Sequence, residues 1–372
     1  MLALVLSGGG AKGAYEIGVW KALRKLKIKY DIVTGTSVGA LNGVMIVQKD
    51  FRKALKIWEN IDYDKIMDDV NINQKNNLLA YTQNFISNGG TSIKPLENLV
   101  DSAVNEKKFF KSKINYGLIT YNFSKLKSVS VKKKNLNEGD LKKYIIASAT
   151  CYPFFKKKKI GNEHYIDGGY YDNLPINLAI SLGADEVIAV DLKAIGLKRK
   201  VKDKNVKITY ICPQNDTGRI LEFDKNSSRK NICFGYNDTM KFYGHLDGKR
   251  FTFRKNNLSK NYGKYTSKYY NIIKKFMKKS DELNDVVEKA GLLFKMDESK
   301  IYKVRKYNKI LKNKIEQIPN TNLNIKNVFS FFEKEKKVKF LYNLMKTDIN
   351  RIKNYKIFKE EIMIAAYLYV IK

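Results

Sequence analysis

An α/β layered fold followed by a basic, mostly helical region is what the sequence predicts, on three observations. Short apolar runs alternate with stretches of helical periodicity as far as about residue 211. The first two apolar runs, Leu2-Ala3-Leu4-Val5-Leu6 and Tyr30 to Thr34, each pass into a glycine-bearing turn and then a helical pattern. From about residue 216 onward the strand-like runs give out, and the chain becomes helical, lysine-rich and tyrosine-rich. The expected division is therefore 1–215 and 216–372.

Taken in order, a strand at 2–7 feeds a glycine loop, and a helix follows from Ala14 to Leu26 with Ile17, Trp20, Ala22 and Leu23 near one face. A strand at 30–34 is followed by helices at 38–48 and 50–60. The polar, asparagine-rich stretch 62–92 is expected to be a lid or surface loop. Pro95 opens a helix to about Val104, since proline suits the first helical turn. Strands at 116–121 and 128–131, a helix at 139–148 and a strand around 163–166 follow. Pro175 suits the start of the next helix, and Glu186–Val190 and Val206–Ile211 read as buried strands.

Composition bounds the rest. The 372 residues suffice for one large domain or two ordinary ones, and a hydrophobic content of 44% is that of a globular protein. No run approaches the 18 or so apolar residues that a spanning helix needs. The apolar start lacks a basic leader and runs straight into the glycine loop, so it reads as a core strand rather than a signal peptide. A cytoplasmic location is the expectation, with peripheral membrane association. Cys151, Cys212 and Cys233 form neither a disulfide framework nor a Cys-x-x-Cys metal spacing. With two histidines in the chain, neither a metal nor a cofactor is expected.

The chemistry-bearing pattern is Gly35-Thr36-Ser37-Val38-Gly39, a Gly-x-Ser-x-Gly frame between a strand and a helix. That is the setting of a nucleophile elbow, where a tight turn demands small neighbours and presents the serine at a helix start. The glycine loop Ser7-Gly8-Gly9-Gly10-Ala11-Lys12-Gly13 lets backbone N–H groups converge beside a helix N-terminus, an arrangement suited to a developing oxyanion. Gly8, Gly10 and Gly13 also fit a dinucleotide fingerprint, which needs an acid at the far end of the second strand. Asp31 begins that strand instead, and Ser37 occupies its far end. A serine needs a base. His164 precedes Asp167 by three residues on one strand, so the two side chains point to opposite faces, and His245 has no motif around it. Asp172 is the rival carboxylate, with a turn or cap role as its simpler reading.

The glycine loop, the serine elbow and the block Asp167-Gly168-Gly169 with Asp172-Asn173-Leu174-Pro175, in this order, resemble the patatin-like phospholipase family over roughly residues 3 to 195. The resemblance implies a central, mostly parallel sheet flanked by helices and a serine–aspartate dyad that cleaves acyl esters of lipids. It makes Ser37 the nucleophile, Asp167 its base and the Gly8, Gly9 and Gly10 amides the oxyanion hole. Lys12 adds positive charge nearby, while Gly35, Gly39, Gly168 and Gly169 support the turns. The block Ala147 to Phe155 is similar to a site-lining segment. A catalytically inactive scaffold or membrane-binding protein on the same fold is the alternative, and a nucleic-acid-binding protein, suggested by charge alone, is the other.

The formal net charge of +34 is extreme. Residues 1–195 hold about 29 basic and 19 acidic side chains, and the remainder about 42 and 18, so the excess sits in the second half. Either lysine is the default polar residue of this composition, or the protein meets a polyanion, for which an anionic membrane surface is the expected partner beside the lipid substrate. No nucleic-acid motif is present, so nucleic acid is not expected. Between Lys264 and Lys279, Tyr265, Tyr269, Ile273 and Phe276 form one helical stripe among lysines, readable as a membrane-surface helix or as a core-packed helix with a solvated lysine face.

Overall fold

The apolar run after Met1 becomes the centre of a sheet. In this computed structural model, which describes residues 1–66, 90–320 and 333–371, β1 (Leu2–Leu6) pairs in parallel with β2 (Ile32–Thr36) on one edge and with β7 (Glu186–Val190) on the other. Its residues are apolar throughout because both faces of a parallel sheet are covered. The sheet runs β5–β6–β3–β2–β1–β7–β8, where β3 is Asn115–Asn122, β5 Lys158–Ile160, β6 Glu163–Asp167 and β8 Lys207–Ile211; β4 (Lys127–Lys132) pairs with β3. β3, β2, β1, β7 and β8 are mutually parallel, β4 and β6 pair antiparallel with β3, and β5 pairs antiparallel with β6. The central, mostly parallel sheet flanked by helices is as expected.

β3 has one unusual property. Gly117 to Ile119 pair with both β2 and β4, so those two strands lie on opposite edges of β3. Thr120 to Asn122 pair with both β4 and β6, so β6 lies on the same edge as β2, beyond the point where β2 ends. The partner of Ile119 is Thr36 and the partner of Thr120 is Asp167. Two segments about 130 residues apart in sequence thus meet end to end along one strand edge.

Helices α1 (Ala14–Lys25), α2 (Val38–Val47), α3 (Phe51–Glu59), α4 (Lys94–Ala103), α5 (Glu106–Lys111), α6 (Asp140–Ala149), α7 (Ile176–Ile180) and α8 (Lys225–Phe242) complete this part. α7 covers one face of the sheet, where Ile176 and Ala179 join Ala3, Val5, Ile32, Val187 and Ala189 in a core. α2 covers the other, close enough that a Cβ on Gly43 would lie 3.1 Å from the Val33 side chain. α5 and β5 are additions to the sequence reading. α5 is short and charged, capped by the Asn105 side chain accepting from Lys108 N–H at 3.0 Å. β5 is a lysine-rich edge strand, a composition that hides strand character while discouraging further pairing. The expected lid at 62–92 falls mostly on residues 67–89, outside the described residues.

The chain forms two compact units, Met1–Thr239 and Met240–Lys372. The boundary falls later than 215 because α8 belongs largely to the first unit. A Cβ on Gly18 of α1 would lie 2.0 Å from Ile232 O, and one on Gly235 of α8 would lie 1.9 Å from Tyr15 O, so the two helices touch backbone to backbone. The second unit is helical, with α9 (Asn257–Ile273), α10 (Leu283–Leu293), α11 (Val304–Gln317), α12 (Lys334–Thr347) and α13 (Lys359–Val370). It also holds a small sheet of β9 (Leu246–Asp247), β10 (Thr252–Arg254) and β11 (Ile301–Tyr302), too short to be legible as strands. The stripe Tyr265, Tyr269, Ile273 and Phe276 is buried in this unit's own core, leaving lysines on the outside. After a charged first turn, α13 is buried on nearly all sides from Ile362 to Leu368, which explains the apolar run there. No described helix is long and apolar enough to cross a membrane.

The close α1–α8 crossing makes a measurable demand. Gly235→Val has no room for its side chain without separating the helices. It is expected to lower the stability of the first unit by about 1–3 kcal/mol, read from the shift of the chemical unfolding midpoint. Replacement at the exposed Gly263, where nothing lies within 4 Å of an added Cβ, should leave that midpoint unmoved.

Candidate active site

Ser37 ends the turn between β2 and α2 with φ 56° and ψ −126°, a conformation strained for any residue with a side chain. The turn is tight enough that a Cβ on Gly35 would meet Gly39 O at 2.3 Å, and one on Gly39 would meet Leu6 O at 2.5 Å. Both glycines of the frame are therefore required by backbone approach. The strained serine is held from outside: its N–H donates to Ser148 Oγ at 2.9 Å, and Ser148 donates in turn to Ile119 O at 2.7 Å. Ser37 is half-buried, leaving part of the residue open to solvent.

Asp167 reaches the same place along the edge of β3. Gly168 follows it so closely against β3 that an added Cβ would lie 2.1 Å from Ile119 O and 3.0 Å from Thr36 Cγ2. Asp167 is 4% exposed. Burial pushes its carboxyl up to about 6, while hydrogen bonds from the Ser37 side chain and Gly169 N–H pull it back. The Gly169 N–H lies 2.7 Å from Oδ1. The arrangement is a serine hydroxyl beside a desolvated carboxylate with no histidine between them. His164 and His245 are both exposed, as befits surface residues.

The glycine loop sits between Ser37 and Asn173. Gly8 donates to Asn173 O at 3.0 Å, and Asn173 Nδ2 donates back to Gly8 O at 3.3 Å. A Cβ on Gly8 would meet Asn173 Oδ1 at 2.2 Å and Ser37 Cβ at 3.1 Å. The Gly8 amide is thus already engaged. Gly10 has φ +54° and lies 2.2 Å, measured from a built Cβ, from Ile220 O. Lys12 is partly buried within the single 3-10 turn Gly10–Gly13, its N–H donating to Gly9 O. Asp172 accepts from Leu174 N–H and Arg199 N–H, both at 3.3 Å, the turn role expected of it. Burial raises its carboxyl to about 6 as well. Two contributors have no individual role legible in sequence: Ser148, which ties down the Ser37 amide, and Asn173, which ties the glycine loop to the aspartate loop. Nothing local marks either, because each acts on a partner more than 100 residues away. Among the described residues no group of three or more His, Cys, Asp or Glu forms a metal-holding cluster.

Residues 4–180 match the model of the family described as Patatin-like phospholipase. This segment belongs to the patatin-like phospholipase family. The patatin-like segment is 28% identical over 194 residues to patatin-like phospholipase domain-containing protein 6 of Mus musculus, covering 51% of this chain and 13% of that protein. It is 29% identical over 209 residues to lysophospholipase nte1 of Aspergillus terreus, covering 52% and 12%. The chain thus spans about one-eighth of the length of these relatives. Among solved structures, VipD from Legionella pneumophila aligns with 14% identity and a TM-score of 0.42, covering 100% of this chain and 91% of that one.

The burial of Asp167 has a stability consequence. Its folded pKa lies above the unfolded value near 4, so the folded state favours the protonated form. Stability linked to this group is complete below pH 4 and is lost as pH rises through about 6. Asp167→Asn keeps the Gly169 hydrogen bond and removes the charge. It is expected to be more stable than wild type at pH 8 by up to about 3 kcal/mol, with the difference vanishing at pH 4, as measured by unfolding at the two pH values.

Proposed function

We propose that this chain is a lipid acyl hydrolase that cleaves a carboxylic ester of a phospholipid or related lipid through a serine–aspartate dyad. The observation that carries the reading is the meeting of Ser37, strained and accessible, with Asp167, buried and hydrogen-bonded to it. Membership of residues 4–180 in a phospholipase family supports the substrate class, and the lysophospholipase name of one relative is consistent with it.

In this mechanism Ser37 Oγ attacks the ester carbonyl while its proton passes to Asp167. The proton is delivered to the departing alkoxide, leaving an acyl-enzyme on Ser37. Asp167 then takes a proton from water, the resulting hydroxide attacks the acyl carbon, and the proton returns to Ser37 Oγ as the fatty acid leaves. A carboxylate of ordinary pKa is a weak base toward a hydroxyl. Burial raises Asp167 toward the working pH and improves that match. The oxyanion is assigned to the Gly9 and Gly10 amides, since Gly8 donates to Asn173 O and the other two have no acceptor among the described residues. Lys12 adds positive charge to the same loop. The partners in this reading are the lipid substrate and an anionic membrane surface.

Three outcomes test it. Ser37→Ala is expected to abolish both hydrolysis of a fluorogenic ester and labelling by a fluorophosphonate; persistent labelling would remove Ser37 as nucleophile. Hydrolysis should rise with pH through about 6 as Asp167 ionises, and Asp167→Asn should nearly eliminate it, while His164→Ala retains it. Gly10→Ala, which forces a side chain onto a left-handed backbone against Ile220 O, should lower kcat by about 10²–10³-fold.

A further inference from the structure

The segment after β7 presents two bare aliphatic side chains to solvent beside the candidate active site: Ile195 is 91% exposed and Leu197 59%. Single exposed apolar residues are ordinary, but these two stand on a backbone that is tied down on several sides. Leu192 N–H donates to Ser7 Oγ at 2.9 Å, at the head of the glycine loop. Leu197 N–H donates to Gly169 O at 2.9 Å, and Leu197 O accepts from Asn173 N–H at 2.5 Å. Arg199 N–H donates to Asp172, and its guanidinium lies 4.0 Å from the centre of the Tyr171 ring. A Cβ on Gly9 would touch Ala194 at 3.3 Å. The segment is therefore fastened to both the glycine loop and the aspartate loop, and it holds its aliphatic side chains outward.

Its charge is one-sided. From Lys193 to Lys204 the segment carries Lys193, Lys198, Arg199, Lys200, Lys202 and Lys204 against Asp203. Lys198 pairs with Asp191 at 2.6 Å. Lys200, Lys202 and Lys204 are exposed and carry no ion pair among the described residues. Aliphatic side chains flanked by unpaired cations match the boundary of an anionic bilayer, where the first enter the acyl region and the second meet lipid phosphate.

We propose that residues 193–204 are the element that seats this protein on an anionic lipid surface, with Ile195 and Leu197 inserted and Lys200, Lys202 and Lys204 on the headgroups. The inference rests on the lipid-hydrolase reading for its choice of a lipid partner. It moves the membrane contact away from the lysine-rich helix α9, whose apolar stripe is consumed by the core of its own unit. It also places the bilayer against the loops that hold Ser37 and Asp167, so an acyl ester would need to travel only a short way from membrane to nucleophile.

The test uses the full chain carrying Ser37→Ala, so that no lipid is consumed, and reads partitioning onto sedimented vesicles. One set is phosphatidylcholine alone and the other contains roughly one-third phosphatidylglycerol. The parent should partition onto the anionic vesicles and weaken with salt. Ile195→Ser with Leu197→Ser should lower partitioning ten-fold or more. Lys200→Gln, Lys202→Gln and Lys204→Gln should lower it by roughly five-fold each at low salt. Lys268→Gln, Lys274→Gln, Lys275→Gln and Lys278→Gln, on and after α9, should change it less. An unshifted melting midpoint verifies folding, and Ile195→Ala alone serves if the double variant is unstable. Unchanged partitioning of the loop variants, loss confined to the α9 variant, or no parental binding to anionic vesicles would overturn the proposal. Self-association of the parent that the double serine variant abolishes would also overturn it, in favour of a surface between copies. Absence of ester hydrolysis by the wild-type chain would sink the functional reading while leaving vesicle partitioning to decide this one.

Discussion

Everything at the candidate site depends on the edge of β3. Ile119 takes Thr36 as its partner and Thr120 takes Asp167, so a parallel strand and an antiparallel strand share one edge and stop facing each other. Because strand pairing advances in whole residues, the meeting of Ser37 and Asp167 is quantised. A slip of one residue in either strand would send Asp167 to the wrong face or carry it a residue length away from the serine. Gly168 exists in this geometry because β3's own backbone occupies the space a side chain would need. Ser148 adds a second tie between α6 and the same strand, bridging the Ser37 amide and the Ile119 carbonyl.

The site is assembled against the preferences of its parts. Ser37 adopts a backbone conformation that costs of order 1–3 kcal/mol. Asp167 is buried where its charged form is disfavoured. Neither would persist without surroundings that over-determine it, and those surroundings are hydrogen bonds between segments remote in sequence: Gly8 with Asn173, Leu192 with Ser7, Leu197 with Gly169. The nucleophile turn, the aspartate turn and the glycine loop are thereby one mechanical piece.

Much of this was legible in the sequence, and the reason differs by feature. β1, β2, β7 and α1 were legible because they are apolar or periodic over their whole length. Ser37 and Asp167 were legible because the tight turns around them admit only glycine, and glycine is visible in sequence. The pairing that brings them together was not, since register is a relation between strands and leaves no local mark on either. β5 was hidden by its lysines, and β9, β10 and β11 by having two or three residues each. The stripe of α9 was legible as amphipathic, but a sequence cannot say whether an apolar face meets a bilayer or its own core. Ile195 and Leu197 carry no sequence mark for the opposite reason: two aliphatic residues among lysines are ordinary until their backbone is pinned.

The matched family segment ends at residue 180, yet β1 pairs along its full length with β7, which begins at Glu186. A fragment cut at the end of that match would therefore strip one side of the most central strand. It would bare a row of unpaired amides and carbonyls set in apolar surroundings, the template on which other chains add strands. It would also lose β8 and α8, the helix whose backbone rests on α1. The stretch that matches the family and the compact unit that contains it are thus different lengths. The second reaches to the neighbourhood of Thr239, and material trimmed to the first should precipitate rather than report on catalysis.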